Sequence, residues 1–224
     1  MPSLPDLPTE LLMETVKYYP ALLSSVDACV EGVAGHQYCG NDTIRALSQT
    51  SRTLRDIFLP VLWERVNVTF TLRNRPKRKI RTRAKMLERR MRGIQKTPQV
   101  ATYIRSLSIT LEECHLGNWQ PLSHFIRVLG LLPNLRNLTI LGGLKGEMIT
   151  VAKTACQGKV YPSVVTLALP DGLAPILHSF PHVRTLHICD YGHSIFREAK
   201  ELYTHVDTVK NINLLTSNVQ GKWV

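Results

Sequence analysis

The chain has 224 residues, of which 44% are hydrophobic and 20% charged, a balance that excludes wholesale disorder. Its 28 Lys and Arg against 17 Asp and Glu give a formal charge of +11, yet residues 73–96 hold 12 of the bases and one acid, Glu88. The remainder carries 16 of each sign, so the basic balance belongs to one segment and not to a general polyanion-binding face.

In chain order, LPDLPTELLMETVKYY (4–19) reads as a helix. Pro8 suits the first turn, where its missing N–H costs nothing, and Glu10 favours the positive end of the helix dipole. Leu7, Leu11, Leu12, Val16 and Tyr19 form a broad apolar face, and Pro20 stops the run. A second helix begins near Asn41–Asp42, either of which can cap it, with Ile44, Leu47 and Ser51 on one side. A third run, TLRDIFLPVLW, supplies Leu54, Ile57, Phe58, Leu62 and Trp63. Three short apolar helices make a small core, the kind that leans on a partner or on the rest of the chain.

The LPTELL opening, followed in order by ALSQTSRTLRDIFLPVLW, resembles the F-box over roughly residues 4–66. That resemblance implies docking onto the Skp-type adaptor of a cullin–RING ubiquitin ligase. Carried over by motif position, the adaptor-binding candidates are Leu7, Pro8, Leu11, Leu12, Val16, Ile44, Leu47 and Leu54, with Trp63 internal. The insert 21–41 is longer than the usual connection between the first two helices and reads as an extra helix, Leu22 to Val33, plus a Gly-rich loop. The competing reading gives the same leucines a private three-helix core with no partner.

Within the basic segment, Ile80, Ala84, Leu87, Met91 and Ile94 recur at steps of four and three, one face of a helix from Ile80 to Gln95. The sequence thus predicts an amphipathic connector helix with its basic side in water. The flanking RNRPKRK (73–79) has no apolar period and reads as a loop, with Lys77, Arg78 and Lys79 as a candidate import signal or anion contact. Specific nucleic-acid recognition wants aromatic or amide side chains among the cations, and none stands between Leu72 and Gln95 except Asn74. Nucleic-acid binding therefore ranks below solvated helix and import signal.

From residue 100 a triplet of apolar positions spaced +3 and +2 recurs five times. It appears as Ile104–Leu107–Ile109, Leu135–Leu138–Ile140, Val164–Leu167–Leu169, Val183–Leu186–Ile188 and Val209–Ile212–Leu214. Three triplets follow a proline (PNLRNL, PSVVTL, PHVRTL), and three contain an arginine at one position (IRSL, LRNL, VRTL). Each run alternates as a strand does. PLSHFIRVLGLL and SIFREAKELYTHV read as intervening helices, with TPQVATYIRSLSI as a turn and the first repeat strand. Strand-plus-helix units of this length resemble a degenerate leucine-rich repeat. A compact α/β domain with the same strands is the alternative. The chain ends at QGKWV, beyond the fifth strand and with no polar capping helix, which predicts a shortened product.

No apolar run approaches the ~20 residues of a membrane-spanning helix. The start MPSLPDLPTE lacks a basic region followed by an apolar one, so the five cysteines are expected reduced, in cytoplasm or nucleus. GGLKGE (142–147) lacks the spacing of a phosphate loop, and Pro181 spoils the helix that would align His178 with His182 on a metal. His187 and Cys189 share one strand side and read as its outer face, and Cys29, His36 and Cys39 lack zinc-site spacing. The expectation is a protein with no catalytic, cofactor or metal site. Its fold class is α/β: F-box helices (1–66), a basic linker and connector helix (67–99), and a short irregular leucine-rich-repeat-like β/α solenoid (100–224). The resemblance implies a Skp-type adaptor and through it a cullin as partners, with an unidentified protein target on the repeats; the residues themselves predict no membrane and rank a nucleic-acid-associated role through residues 73–96 last. The F-box-then-repeat order is similar to that of fungal F-box proteins.

Overall fold

A computed structural model describes residues 8–17, 40–68, 78–111, 120–142, 146–190 and 211–216. The chain divides into two compact units, Met1–Glu64 and Arg65–Val224.

The first unit contains helices α1 (Thr9–Lys17), α2 (Gly40–Thr50) and α3 (Arg52–Glu64). Pro8 stands just before α1, and its carbonyl accepts the N–H groups of Leu11 and Leu12 at 3.0 and 3.2 Å. The α2–α3 corner is fixed by Ser51. Its Oγ accepts the N–H of Leu54 at 3.1 Å and its carbonyl that of Arg55 at 3.0 Å, an N-cap for α3. Ser51, expected on the apolar side of the second helix, is thus a helix cap. Arg55 Nε also donates to the carbonyl of Ser48 at 3.2 Å. The core of this unit is Leu12, Ile44, Leu54 and Phe58, flanked by Leu47, Ile57, Val61 and Leu62. The insert lies outside the described residues except for its last two positions, which begin α2.

The second unit is a mixed helix and parallel-sheet structure. Its strands are β1 (Arg65–Val68), β2 (Ser106–Thr110), β3 (Asn137–Leu141), β4 (Thr166–Pro170), β5 (Thr185–Asp190) and β6 (Asn211–Thr216), forming one sheet in that order. Every neighbouring pair is parallel. Five of these strands carry the repeated triplet. The first four triplets are wholly buried, from Ile104 through Ile188. β1 is an addition, since residues 65–66 read as the end of the helical segment and 67–68 as linker. Only two apolar residues, Val66 and Val68, alternate there, too short a run to declare a strand.

Helices α4 (Arg78–Lys96), α5 (Pro98–Tyr103), α6 (Gln120–Leu129), α7 (Gly146–Cys156) and a 3-10 helix (Asp171–Ser179) lie between the strands. Parallel neighbours joined by crossovers of one hand place those connections on one face. Accordingly α4 packs on α6, α6 on α7, and α7 on the 3-10 helix. The order never reverses among the described strands, so the sheet lacks the crevice where doubly wound folds bind nucleotides.

Two of these elements change an expectation in detail. Arg78 and Lys79, expected in a loop, are the first residues of α4, while Lys77 lies outside the described residues. Residues 98–103, expected as a turn, form α5 with Pro98 at its start and Val100 and Ala101 buried. The shortest step, between β4 and β5, is spanned by the 3-10 helix, whose rise of roughly 2.0 Å per residue covers the distance with fewer residues than an α-helix at ~1.5 Å. The helix expected over SIFREAKELYTHV lies outside the described residues.

One turn recurs ahead of three of the strands. Pro133, Pro162 and Pro181 each occupy the second position of a β-turn. These close as Leu135 N–H to Leu132 O, Val164 N–H to Tyr161 O, and Val183 N–H to Phe180 O, at 3.4, 3.4 and 3.3 Å. Proline is preset for that position and gives up no hydrogen bond there.

Candidate interaction surfaces

The adaptor-binding candidates divide between core and surface. Leu12, Ile44 and Leu54 are each 1% exposed and pack on Phe58, so they are interior residues. Their apolar spacing records burial within the chain. Leu47 is half-buried against the same core. Pro8 is exposed, and Leu11 is 53% exposed beside the buried Leu12. Met13, which the sequence did not single out, is 38% exposed on the same helix. Leu7 and the side chain of Val16 lie outside the described residues. Trp63, expected internal, is half-buried.

On α4 the expected apolar face is buried at Leu87, Met91 and Ile94. Lys85, Arg89, Arg90 and Arg92 are exposed, and Arg92 pairs with Glu88 at 2.6 Å. An exposed pair of this kind contributes little to stability.

On the face of the sheet opposite the buried triplets, register aligns Arg65, Ser106, Asn137, Thr166, Thr185 and Asn211 in one row, and Asn67, Ser108, Thr139, Ala168, His187 and Asn213 in the next. Neither row holds a carboxylate. Immediately before the first row stand Arg105, Arg136 and Arg184, all exposed; Arg105 and Arg136 lie on neighbouring strands, and Val165 separates Arg136 from Arg184.

The histidines and cysteines do not converge. His178 is exposed on the 3-10 helix, and His182 lies in a turn with Nδ1 3.0 Å from the carbonyl of Pro162. His187 Nδ1 is buried without a hydrogen-bond partner among the described residues, and the side chain of Cys189 lies outside them. Among the described residues no three His, Cys, Asp or Glu side chains gather to hold a metal.

Among the described residues a dense polar cluster lies in the interior. Tyr161 donates its hydroxyl to the carbonyl of Ile126 at 3.2 Å and stacks on Phe180 with ring centroids 5.2 Å apart. Ser179 Oγ donates to the carbonyl of Cys156 at 3.2 Å, and Tyr161 N–H donates to Ser179 O at 2.7 Å. Burial pushes the Cys156 thiol up to about 11 against a small opposing pull from Lys159. Burial, then the neighbouring Cys156, pushes Tyr161 up as well. A neutral, buried thiol is a poor nucleophile. This cluster joins α6, α7 and the loop before β4, a structural task.

Among the described residues no helix is long and apolar enough to cross a membrane. No protein-family model matches this chain, no curated protein matches its sequence, and no solved structure matches its fold.

Proposed function

We propose that this chain is a non-catalytic target-recognition subunit of a Skp–cullin–F-box ubiquitin ligase. Its helical unit docks the adaptor, and its β/α unit, a short leucine-rich-repeat-like solenoid, receives the target. Recognition acts through proximity, raising the effective concentration of target lysines near the ligase. The observation that carries this reading is the exposure of Leu11, 53% accessible on a helix whose neighbour Leu12 is 1% accessible and already satisfies the core. A helix that buries one leucine and offers the next has an apolar residue available for a partner. The solenoid half is supported by the unreversed strand order and by the turn repeated at Pro133, Pro162 and Pro181.

A second reading has its own observation. Leu12, Ile44 and Leu54 are consumed by the private core, which favours a repeat scaffold whose F-box-like helices do not dock. The two separate in co-purification with a Skp-type adaptor. Stoichiometric capture by the wild type, lost in Leu11→Asp while the variant keeps its unfolding midpoint, supports docking. A folded wild type that captures no adaptor overturns docking and leaves the scaffold.

A further inference from the structure

The outer side of α4 carries two lines of exposed residues. Lys85, Arg89, Arg92 and Lys96 step by four, three and four, so they run along one side of the helix for roughly 16 Å. Met86, Arg90 and Gly93 step by four and three in a second line beside the first. All are exposed, Met86 at 48%. On the other side Leu87, Met91 and Ile94 are buried, and the helix packs on α6. Glu88, the one acid of α4, already pairs with Arg92. Among the described residues Lys85, Arg89, Arg90 and Lys96 have no carboxylate partner.

Gly93 stands inside the helix, where glycine is less favourable than alanine because it loses more backbone freedom on folding. Other described glycines have a reason in the fold. Gly142 and Gly158 have positive φ, and a Cβ at Gly172 would stand 2.7 Å from the side chain of Ile149. Gly93 has neither feature: its backbone is helical, and a Cβ there would meet nothing within 4 Å. No described neighbour requires the bare position. It leaves a notch in the surface of α4, one turn beyond Arg90 and two beyond Met86. A glycine in such a place lets the backbone of another helix come close.

We infer that the outer side of α4 is a docking site for an acidic helix of a partner protein. The partner's backbone passes closest at Gly93, an apolar side chain covers Met86, and carboxylates meet Lys85, Arg89, Arg90 and Lys96. Charge sets the sign of the partner, because residues 73–96 hold 12 bases and one acid in a chain that is otherwise neutral. Met86 and Gly93 set its class. They offer a helix an apolar contact and a close approach, and Met and Arg are side chains that protein interfaces favour. No aromatic ring stands on α4 for a nucleic-acid base to stack on. The inference stands whether or not the helical unit captures an adaptor.

The test is fluorescence anisotropy of a labelled peptide of Glu, Ala and Leu at helical spacing against the full chain. Arg89→Gln/Lys96→Gln is expected to bind roughly tenfold more weakly, the loss of two exposed charge contacts. Gly93→Leu separates docking from stability. Its side chain enters open space, and leucine is a better helix former than glycine, so the unfolding midpoint holds or rises. Binding nevertheless falls roughly tenfold, because the added side chain blocks the closest approach. Arg136→Gln/Arg184→Gln, which removes two charges elsewhere, leaves binding unchanged. Unfolding midpoints no lower than that of the wild type show that the variants fold. A wild type that ignores the helical peptide, or a Gly93→Leu chain that binds it undiminished, overturns the inference. So does an equal loss from Arg136→Gln/Arg184→Gln, the mark of a general charge effect. Equal affinity for the same peptide with its helix broken by proline, or tighter binding of a single-stranded oligonucleotide of equal charge, overturns it as well.

Discussion

Asn134 donates from Nδ2 to the carbonyl oxygen of Thr102 across 2.7 Å, joining the turn before β3 to the end of α5. His182 occupies the equivalent place in its own turn, directly after a proline, and holds the carbonyl of Pro162 at 3.0 Å. In two of the three proline turns a side chain thus reaches back to the preceding unit and holds the spacing between strands. A carbonyl acceptor requires a donor, so the Nδ1 of His182 carries the proton.

Removing such a staple has a measurable effect. Asn134→Ala is expected to lower stability by about 1 kcal/mol, the usual net value of one hydrogen bond. His182→Ala follows the same rule, and the two losses add, because the turns share no partner. Chemical denaturation of the single and double variants checks this.

The two described glycines with positive φ make opposite predictions about space. Gly142 has φ 121°, and a Cβ there would stand 1.9 Å from the carbonyl oxygen of Leu111. That carbonyl belongs to backbone, held where Leu111 N–H donates to Leu141 O at 2.7 Å. Gly142→Ala is therefore expected to cost roughly 3 kcal/mol or more. Gly158 has φ 72° with open space around it, so Gly158→Ala carries only the left-handed penalty of about 1 kcal/mol. Comparable losses at the two positions would contradict this account.

The repeat was legible because its period is a physical one. Ile104, Leu107 and Ile109 repeat as buried positions in later units because every strand turns the same face to the helical layer. β1 and α5 were not legible, since each is too short for a period to build up. The adaptor site was the least legible. Leu11 and Leu12 have the same hydrophobicity and adjacent places in one helix, and only tertiary packing decides which one the core takes. The strand-start arginines needed register: Arg105 and Arg136, far apart along the chain, become neighbours only when the sheet order is known.

Alkaline pH is expected to loosen the β/α unit. Burial raises Cys156 from 9.0 to about 11, so the folded state holds that proton more tightly than the unfolded chain. The associated stability is fully present below about pH 9 and is lost as pH rises toward 11. Tyr161 shifts in the same direction and steepens the fall. The unfolding midpoint should be flat through neutral pH and then decline. Cys156→Ala removes the thiol's share of that decline, and a thiol reagent should modify Cys156 much faster in denaturant than in the folded chain.

Neighbouring leucines on α1 provide the sharpest separation of stability from binding. Leu12 sits in the core with Ile44, Leu54 and Phe58, and truncation leaves a cavity that the small unit has few side chains to fill. Leu12→Ala is expected to cost about 2–5 kcal/mol. Because the core of three short helices is small, that loss is a large fraction of its stability. Leu11→Asp, at 53% exposure, should change stability by no more than about 0.5 kcal/mol. Circular dichroism melts of the two variants check the division. An Asp at position 11 that unfolds the helical unit would place Leu11 in the core and remove it as an available contact. A folded Leu11→Asp chain makes any loss of adaptor capture a statement about the surface alone.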